Sequence, residues 1–174
     1  MVRENVASKL RLAHSAPKII VLGVGNEFRG DDGAGPFIIG RLEAENLPEK
    51  LVDLRRCGPA SLIDQWREAE TAIVVDAAAG SSPGKIHRFD VSGRSIPEGF
   101  FIVSTHSLGV AESVELARSL NLLPPRLIIY GIEGRSFDHG VGLSPEMKKA
   151  ACEVAEMVMR EIENQHIVAE NESG

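Results

Sequence analysis

Three short segments hold the side chains best suited to chemistry: Gly23-Val24-Gly25-Asn26-Glu27-Phe28-Arg29-Gly30-Asp31-Asp32-Gly33-Ala34-Gly35, Asp76-Ala77-Ala78-Ala79-Gly80 and Ser104-Thr105-His106-Ser107-Leu108-Gly109. Two carboxylates, Asp32 and Asp76, offer oxygen, and the imidazole of His106 offers nitrogen. Such a set suits a divalent ion that accepts both donors, including nickel, zinc or manganese. Three protein ligands leave positions open for water or a substrate group. Each residue has a plainer use. Asp31 or Asp32 serves equally well as a cap for a following helix, Asp76 as an acceptor from a nearby turn, and His106 as a local hydrogen-bonding residue.

Other chemistry fails on spacing. G-x-G-x-x-G needs a third glycine for close helix–strand packing, and Phe28 stands there. Asp31 and Asp32 would also repel a pyrophosphate at a helix N-terminus. Gly80 to Ile86 lacks the spacing of a P-loop and the Ser/Thr after Lys85, and neither G-x-S-x-G nor H-E-x-x-H occurs.

The elements that must position the three segments are short and alternate in kind. Lys18–Gly25, Leu51–Leu54, Ala72–Val75 and Arg126–Gly131 read as strands, most of them apolar throughout because both faces are covered. Asp76 is expected to close the third of these. Lys85–Asp90 follows turn chemistry at Pro83-Gly84, and Phe101–Val103 is a further short extended piece. Helical patterns run over Pro36–Glu45, Leu62–Arg67, Leu108–Leu120 and from Ser144 to about Glu163. The last has Ser as N-cap, proline at its first position and an acid in its first turn. This alternation predicts an α/β fold with helices on both faces of the sheet, where ligands bind at the carboxyl ends of the strands. Glycines at 23 and 25 are expected to permit close backbone approach, and those at 33 and 35 a tight strand-to-helix turn.

A chain of 174 residues predicts one domain. The expected division is a flexible extension at 1–17, the α/β domain at 18–163 and an acidic disordered tail at 164–174. The formal charge is −6, from 25 acidic and 19 basic residues. That balance argues against a nucleic-acid partner, whose phosphates call for Lys and Arg. Four of the acids (Glu161, Glu163, Glu170 and Glu172) lie in the last fourteen residues, with no Lys or Arg among them. Cys57 and Cys152 are too few for a disulfide framework and read as reduced thiols. No apolar run reaches membrane-spanning length, and the N-terminus lacks the apolar stretch of a signal peptide. The expectation is a cytoplasmic protein that does not enter the membrane.

The motifs together resemble the [NiFe]-hydrogenase maturation endopeptidases. VLGVGNEFRGDDGAG is similar to that family's opening pattern: an apolar strand, G-x-G-N, a short spacer, then D-[DE]-x-x-G. TAIVVDAAAG, THSLG and GLSP follow in the family's order. The resemblance covers about residues 18–160. It implies a three-layer α/β/α sandwich around a mostly parallel, mixed sheet of about five strands. It implies removal of a C-terminal extension from a hydrogenase large-subunit precursor after nickel insertion, with Ni2+ carried by the substrate and replaceable by another divalent cation in isolation. The family's metal-binding positions fall on Asp32, Asp76 and His106, which would also be the catalytic residues. The implied partner is the precursor, docking on a monomer. A non-catalytic, metal-dependent chaperone of hydrogenase assembly is the alternative. Two features depart from the pattern: Arg56 stands where the family often has Asp, and the Asp138–Leu143 turn is one residue longer.

Overall fold

Continuous apolar strands need cover on both faces, and the computed structural model supplies it with helices on either side of one five-stranded sheet. It describes residues 19–48, 51–91, 109–140 and 142–172, with side chains through 165. The elements in order are β1 (Ile19–Val24), α1 (Ala34–Glu43), β2 (Val52–Cys57), α2 (Leu62–Trp66), β3 (Thr71–Ala79), β4 (Ile86–Asp90), α3 (Val110–Ser119), β5 (Arg126–Gly134) and α4 (Pro145–Glu172). Short 3₁₀ turns at Gly30–Gly33 and Pro59–Ser61 lead into α1 and α2.

The strand order is β2-β1-β3-β5-β4. All neighbours are parallel except β4, which runs antiparallel to β5. The α/β class and the mixed, mostly parallel five-stranded sheet therefore agree with expectation. Strand alternation divides the core in two. Ile19, Val21, Ile73, Val75 and Ile128 point toward α1 and α4. Ile20, Leu22, Val74, Leu127 and Ile129 point toward α2 and α3. Trp66 is fully buried on the second face, and its indole N–H donates to the Leu122 carbonyl at 3.2 Å. The two edge strands carry Arg55 and Arg56 in β2 and His87 and Arg88 in β4. Charges there discourage pairing with another chain.

Helix α1 lies against β1 with backbone nearly touching backbone. A Cβ on Gly35 would come within 2.2 Å of the Val24 carbonyl oxygen, and one on Gly23 within 2.5 Å of the Gly35 oxygen. Gly35 thus serves packing rather than the tight turn expected of it. Gly33 has an ordinary φ of −73°.

Several boundaries differ from the sequence reading, and β2 and β5 run to Cys57 and Gly134, three residues past their expected ends. α1 starts two residues before Pro36, which occupies its first turn. β3 does not stop at Asp76 but continues through Ala77, Ala78 and Ala79, paired with Ile132, Glu133 and Gly134 of β5. Alanine has little strand preference of its own, so the β5 ladder sets this extension. α4 runs past Glu163 to Glu172, so residues 164–172, expected as disordered tail, are helical. The sequence there has no Pro or Gly before Gly174 and contains Glu, Gln and Ala, which favour helix. Phe101–Val103 and the first seventeen residues lie outside the described segments.

Candidate functional site

In a sheet ordered β2-β1-β3-β5-β4, the connection from β1 leaves toward β2, and the chain then returns to β3 on the opposite side of β1. The crevice between β1 and β3 at their carboxyl ends is the topological switch point, the usual ligand position in open α/β sheets. Asp32 follows β1 and Asp76 lies in β3. Pairing between β1 and β3 ends at Gly23↔Val75, so Asp76 is the first β3 residue beyond the last residue paired with β1. On its other side Asp76 is still held in register with Gly131. A rigid central strand therefore carries the carboxylate to the carboxyl end of β1.

Asp32 reaches the neighbourhood of Asp76 through a turn folded back on the end of β1. Gly25 has φ +125°, a conformation that L side chains rarely adopt. A Cβ there would lie 1.9 Å from the Asp32 carbonyl oxygen. The Asn26 N–H donates to Asp32 Oδ2 at 3.1 Å, and Asn26 Oδ1 accepts from the Phe28 N–H at 3.0 Å. The G-x-G-N segment is thus a cradle for the Asp32 carboxylate. The N-cap of α1 is Gly33, so neither Asp31 nor Asp32 takes the capping position.

Both carboxylates are buried, Asp32 at 3% exposure and Asp76 at 6%. Burial pushes the Asp76 carboxyl up to about 7, the Asp32 charge pushes in the same direction, and a hydrogen bond from the Ala77 N–H opposes both. Desolvation and a like charge each disfavour the ionised form. The structure therefore brings two of the three expected site residues together as a buried, mutually repelling acid pair. His106 lies outside the described residues. Among the described residues no group of three His, Cys, Asp or Glu side chains forms a metal cluster.

The adjacent Asp31 does a different job. It is 1% exposed. Its Oδ1 accepts from the Ser144 N–H at 2.7 Å, and its Oδ2 from the Arg135 N–H at 2.7 Å and the Ser144 hydroxyl at 3.0 Å. Ser144 Oγ in turn accepts from the Met147 N–H at 3.2 Å, capping α4 as its sequence predicted. Backbone bonds reinforce this link, from Gly30 N–H to the Gly140 carbonyl and from Gly140 N–H to the Phe28 carbonyl. Asp31 thus fastens the Asp32 turn to the loop between β5 and α4.

Cys57 is a neighbour that sequence reasoning left unassigned. It ends β2 opposite Val24, and its thiol feels the Asp76 charge. Burial, first among several causes, pushes that thiol up to about 11, so at neutral pH it is not a thiolate nucleophile. Cys57 and Cys152 are both free. Arg56, one residue earlier, is half-exposed and grips Glu43 with both terminal nitrogens, at 2.7 and 2.6 Å.

Comparison with known proteins identifies this architecture. A family model described as hydrogenase maturation protease matches residues 38–161, most of the chain. The chain belongs to the hydrogenase maturation proteases. That membership makes it a peptidase of hydrogenase maturation, as its motifs implied. The matched span contains Asp76 and His106, and Asp32 lies ahead of its first residue. Among curated relatives, the hydrogenase expression/formation protein HupD of Thiocapsa roseopersicina is 30% identical over 161 residues, covering 89% of this chain and 72% of that protein. A putative hydrogenase maturation protease of Methanocaldococcus jannaschii is 27% identical over 164 residues, covering 83% and 96%. Among solved structures, the hydrogenase 2 maturation peptidase of a Thaumarchaeota archaeon superposes with a TM-score of 0.65 at 28% identity, over 83% of this chain and 97% of that one. No helix among the described residues is long and apolar enough to cross a membrane.

Proposed function

We propose that this maturation protease cleaves the C-terminal extension from a [NiFe]-hydrogenase large-subunit precursor after nickel has been inserted. In this reading Asp32, Asp76 and His106 complete the coordination of the substrate's own nickel. The observation that carries it is the buried Asp32–Asp76 pair at the β1/β3 switch point. Two like charges buried near one another are unfavourable, and a divalent cation held by both would relieve that repulsion. The donor set, two oxygens with an imidazole on the THSLG segment, matches such an ion.

Engaging the nickel fixes the precursor, and with it the scissile bond, against the crevice. The metal supplies Lewis acidity toward a carbonyl or a bound water. If the metal serves recognition alone, a carboxylate of the site would take the proton from the attacking water. The assembly is proposed to act as a monomer in the cytoplasm.

The test is incubation of the purified chain with nickel-loaded large-subunit precursor, followed by mass spectrometry. The expected result is loss of the C-terminal peptide with wild type, and none with Asp76→Asn or with a folded His106→Ala protein. Precursor that is bound but never shortened would favour the chaperone alternative, and normal cleavage by His106→Ala would remove His106 from the site.

A further inference from the structure

The turn that carries Asp32 is also the wall of an open cleft of about 380 Å³, bounded by Gly30 and Gly33 on one side and by the start of α4 on the other. Pro36, Phe37 and Leu143 give it apolar surface, and Arg56, Lys148 and Glu27 give it charge. A second cleft, also about 380 Å³, shares Glu27, Pro36 and Arg56 with the first and continues past Asn26 to Pro59 at the end of β2. The two meet at Arg56 and form one groove. Each part has the volume of a ligand site, roughly 300–1,000 Å³. The groove runs beside the candidate site, because Asn26, on its wall, donates its N–H to Asp32.

Arg56 is held in a way that leaves it able to bind. Glu43 takes one N–H from each terminal nitrogen. Glu43 does not line either cleft. A guanidinium has five N–H donors, so three are left over. The fork is thereby ordered before any ligand arrives, which lowers the entropic cost of using it. On the groove side the charged groups are two cations, Arg56 and Lys148, and one carboxylate, Glu27. Glu43 balances the Arg56 charge from behind the wall, so what the groove offers is the remaining guanidinium donors and the Lys148 ammonium.

We propose that this groove docks the C-terminal extension of the precursor, and that Arg56 and Lys148 select a segment with a carboxylate beside an apolar side chain. The apolar side chain lies on Pro36, Phe37 and Leu143. The carboxylate accepts from Arg56 and Lys148 at the groove's charged wall. This inference rests on the endopeptidase reading and adds the chemistry of the substrate segment. Arg56 and Lys148 determine specificity and act on binding, with no part in bond cleavage.

The experiment measures kcat and KM of the full chain on nickel-loaded precursor for wild type, Arg56→Met and Lys148→Gln. Both positions are exposed, and unchanged thermal melting confirms that each variant is folded. Each substitution is expected to raise KM about tenfold, with kcat held within about twofold, as for loss of a charge-assisted contact at a binding surface. Changing the acidic residues of the extension to their amides, one at a time, should raise KM for wild type at one position and add nothing in Arg56→Met. Unchanged KM in both variants, loss confined to kcat, or indifference to every acid-to-amide change would each overturn the proposal. A fluorescein-labelled synthetic peptide of the extension, titrated into the His106→Ala protein, separates the two readings. Arg56-dependent binding of the peptide, with nickel-loaded precursor left uncut by wild type, keeps the groove and removes the endopeptidase. Cleavage of the precursor with a peptide that does not bind does the reverse, and an unbound peptide together with uncut precursor overturns both.

Discussion

Replacing Asp76 with Asn should stabilise the protein at high pH relative to low pH while removing its activity. In the folded chain, burial and the Asp32 charge lift the Asp76 carboxyl from 3.8 to about 7. The unfolded chain releases its proton near 3.8, so between pH 4 and 7 the folded state binds more protons than the unfolded one. Stability therefore falls as pH rises through that window, and the loss is complete above about 7. A displacement of about three pKa units corresponds to about 4 kcal/mol. Asn has the same shape and no charge, and its carbonyl can still accept from the Ala77 N–H. Its amide introduces a donor whose burial costs about 1–3 kcal/mol if unpaired, but that cost does not vary with pH. The quantity to read is thus a double difference: the stability of Asp76→Asn minus wild type at pH 8, less the same difference at pH 4. Urea unfolding at a series of pH values gives it directly. With an m-value of about 2 kcal/mol/M, the variant's advantage in midpoint should grow by roughly 2 M across the window. A difference that stays flat from pH 4 to 8 would refute the idea that the Asp76 charge is confined in a desolvated, like-charged site.

Three further outcomes follow from the packing. Asp31→Asn turns an acceptor of several N–H and O–H groups into a partial donor and should cost about 3 kcal/mol in urea unfolding, with precursor processing falling in parallel; full stability would show that the link between the Asp32 turn and α4 is dispensable. Gly35→Ala places a methyl group against the backbone of β1 and should lower stability by about 3 kcal/mol or prevent folding, read from the thermal midpoint; an unchanged midpoint would contradict the close α1–β1 contact. Cys57 should alkylate slowly with iodoacetamide at pH 8, because burial keeps its thiol protonated; peptide mapping that shows rapid labelling would overturn that assignment.

How much of this was legible beforehand depends on the range of the interaction concerned. The interior strands were readable because residues such as Ile20 to Leu22 and Ile73 to Val75 are apolar on both faces, a local signature of two-sided cover. The continuation of β3 through three alanines was not. Its cause is the partner strand β5, about fifty residues further on, not the residues themselves. The same distinction separates two adjacent acids. From spacing, Asp31 and Asp32 served equally well as helix caps, yet Asp31 finds its donors at Arg135 and Ser144, over a hundred positions away. Only the folded chain shows Asp31 holding the turn, because its donors lie so far along the sequence. Arg56 likewise stood out as a departure from pattern, but its carboxylate partner, thirteen residues earlier on α1, emerged only when α1 and β2 were set side by side.

The tether made by Asp31 also sets an order in time. During synthesis the Asp32 turn leaves the ribosome more than a hundred residues before the amides and hydroxyl that satisfy Asp31. A buried carboxylate lacking its donors is costly, so the turn cannot settle while only the first half of the chain has emerged. Contacts so distant along the chain also slow folding. The Asp32 turn is therefore expected to settle only once residue 144 is out. A site proposed to act on another protein's C-terminal end is thus itself completed by donors at Arg135 and Ser144, over a hundred positions beyond the turn they hold.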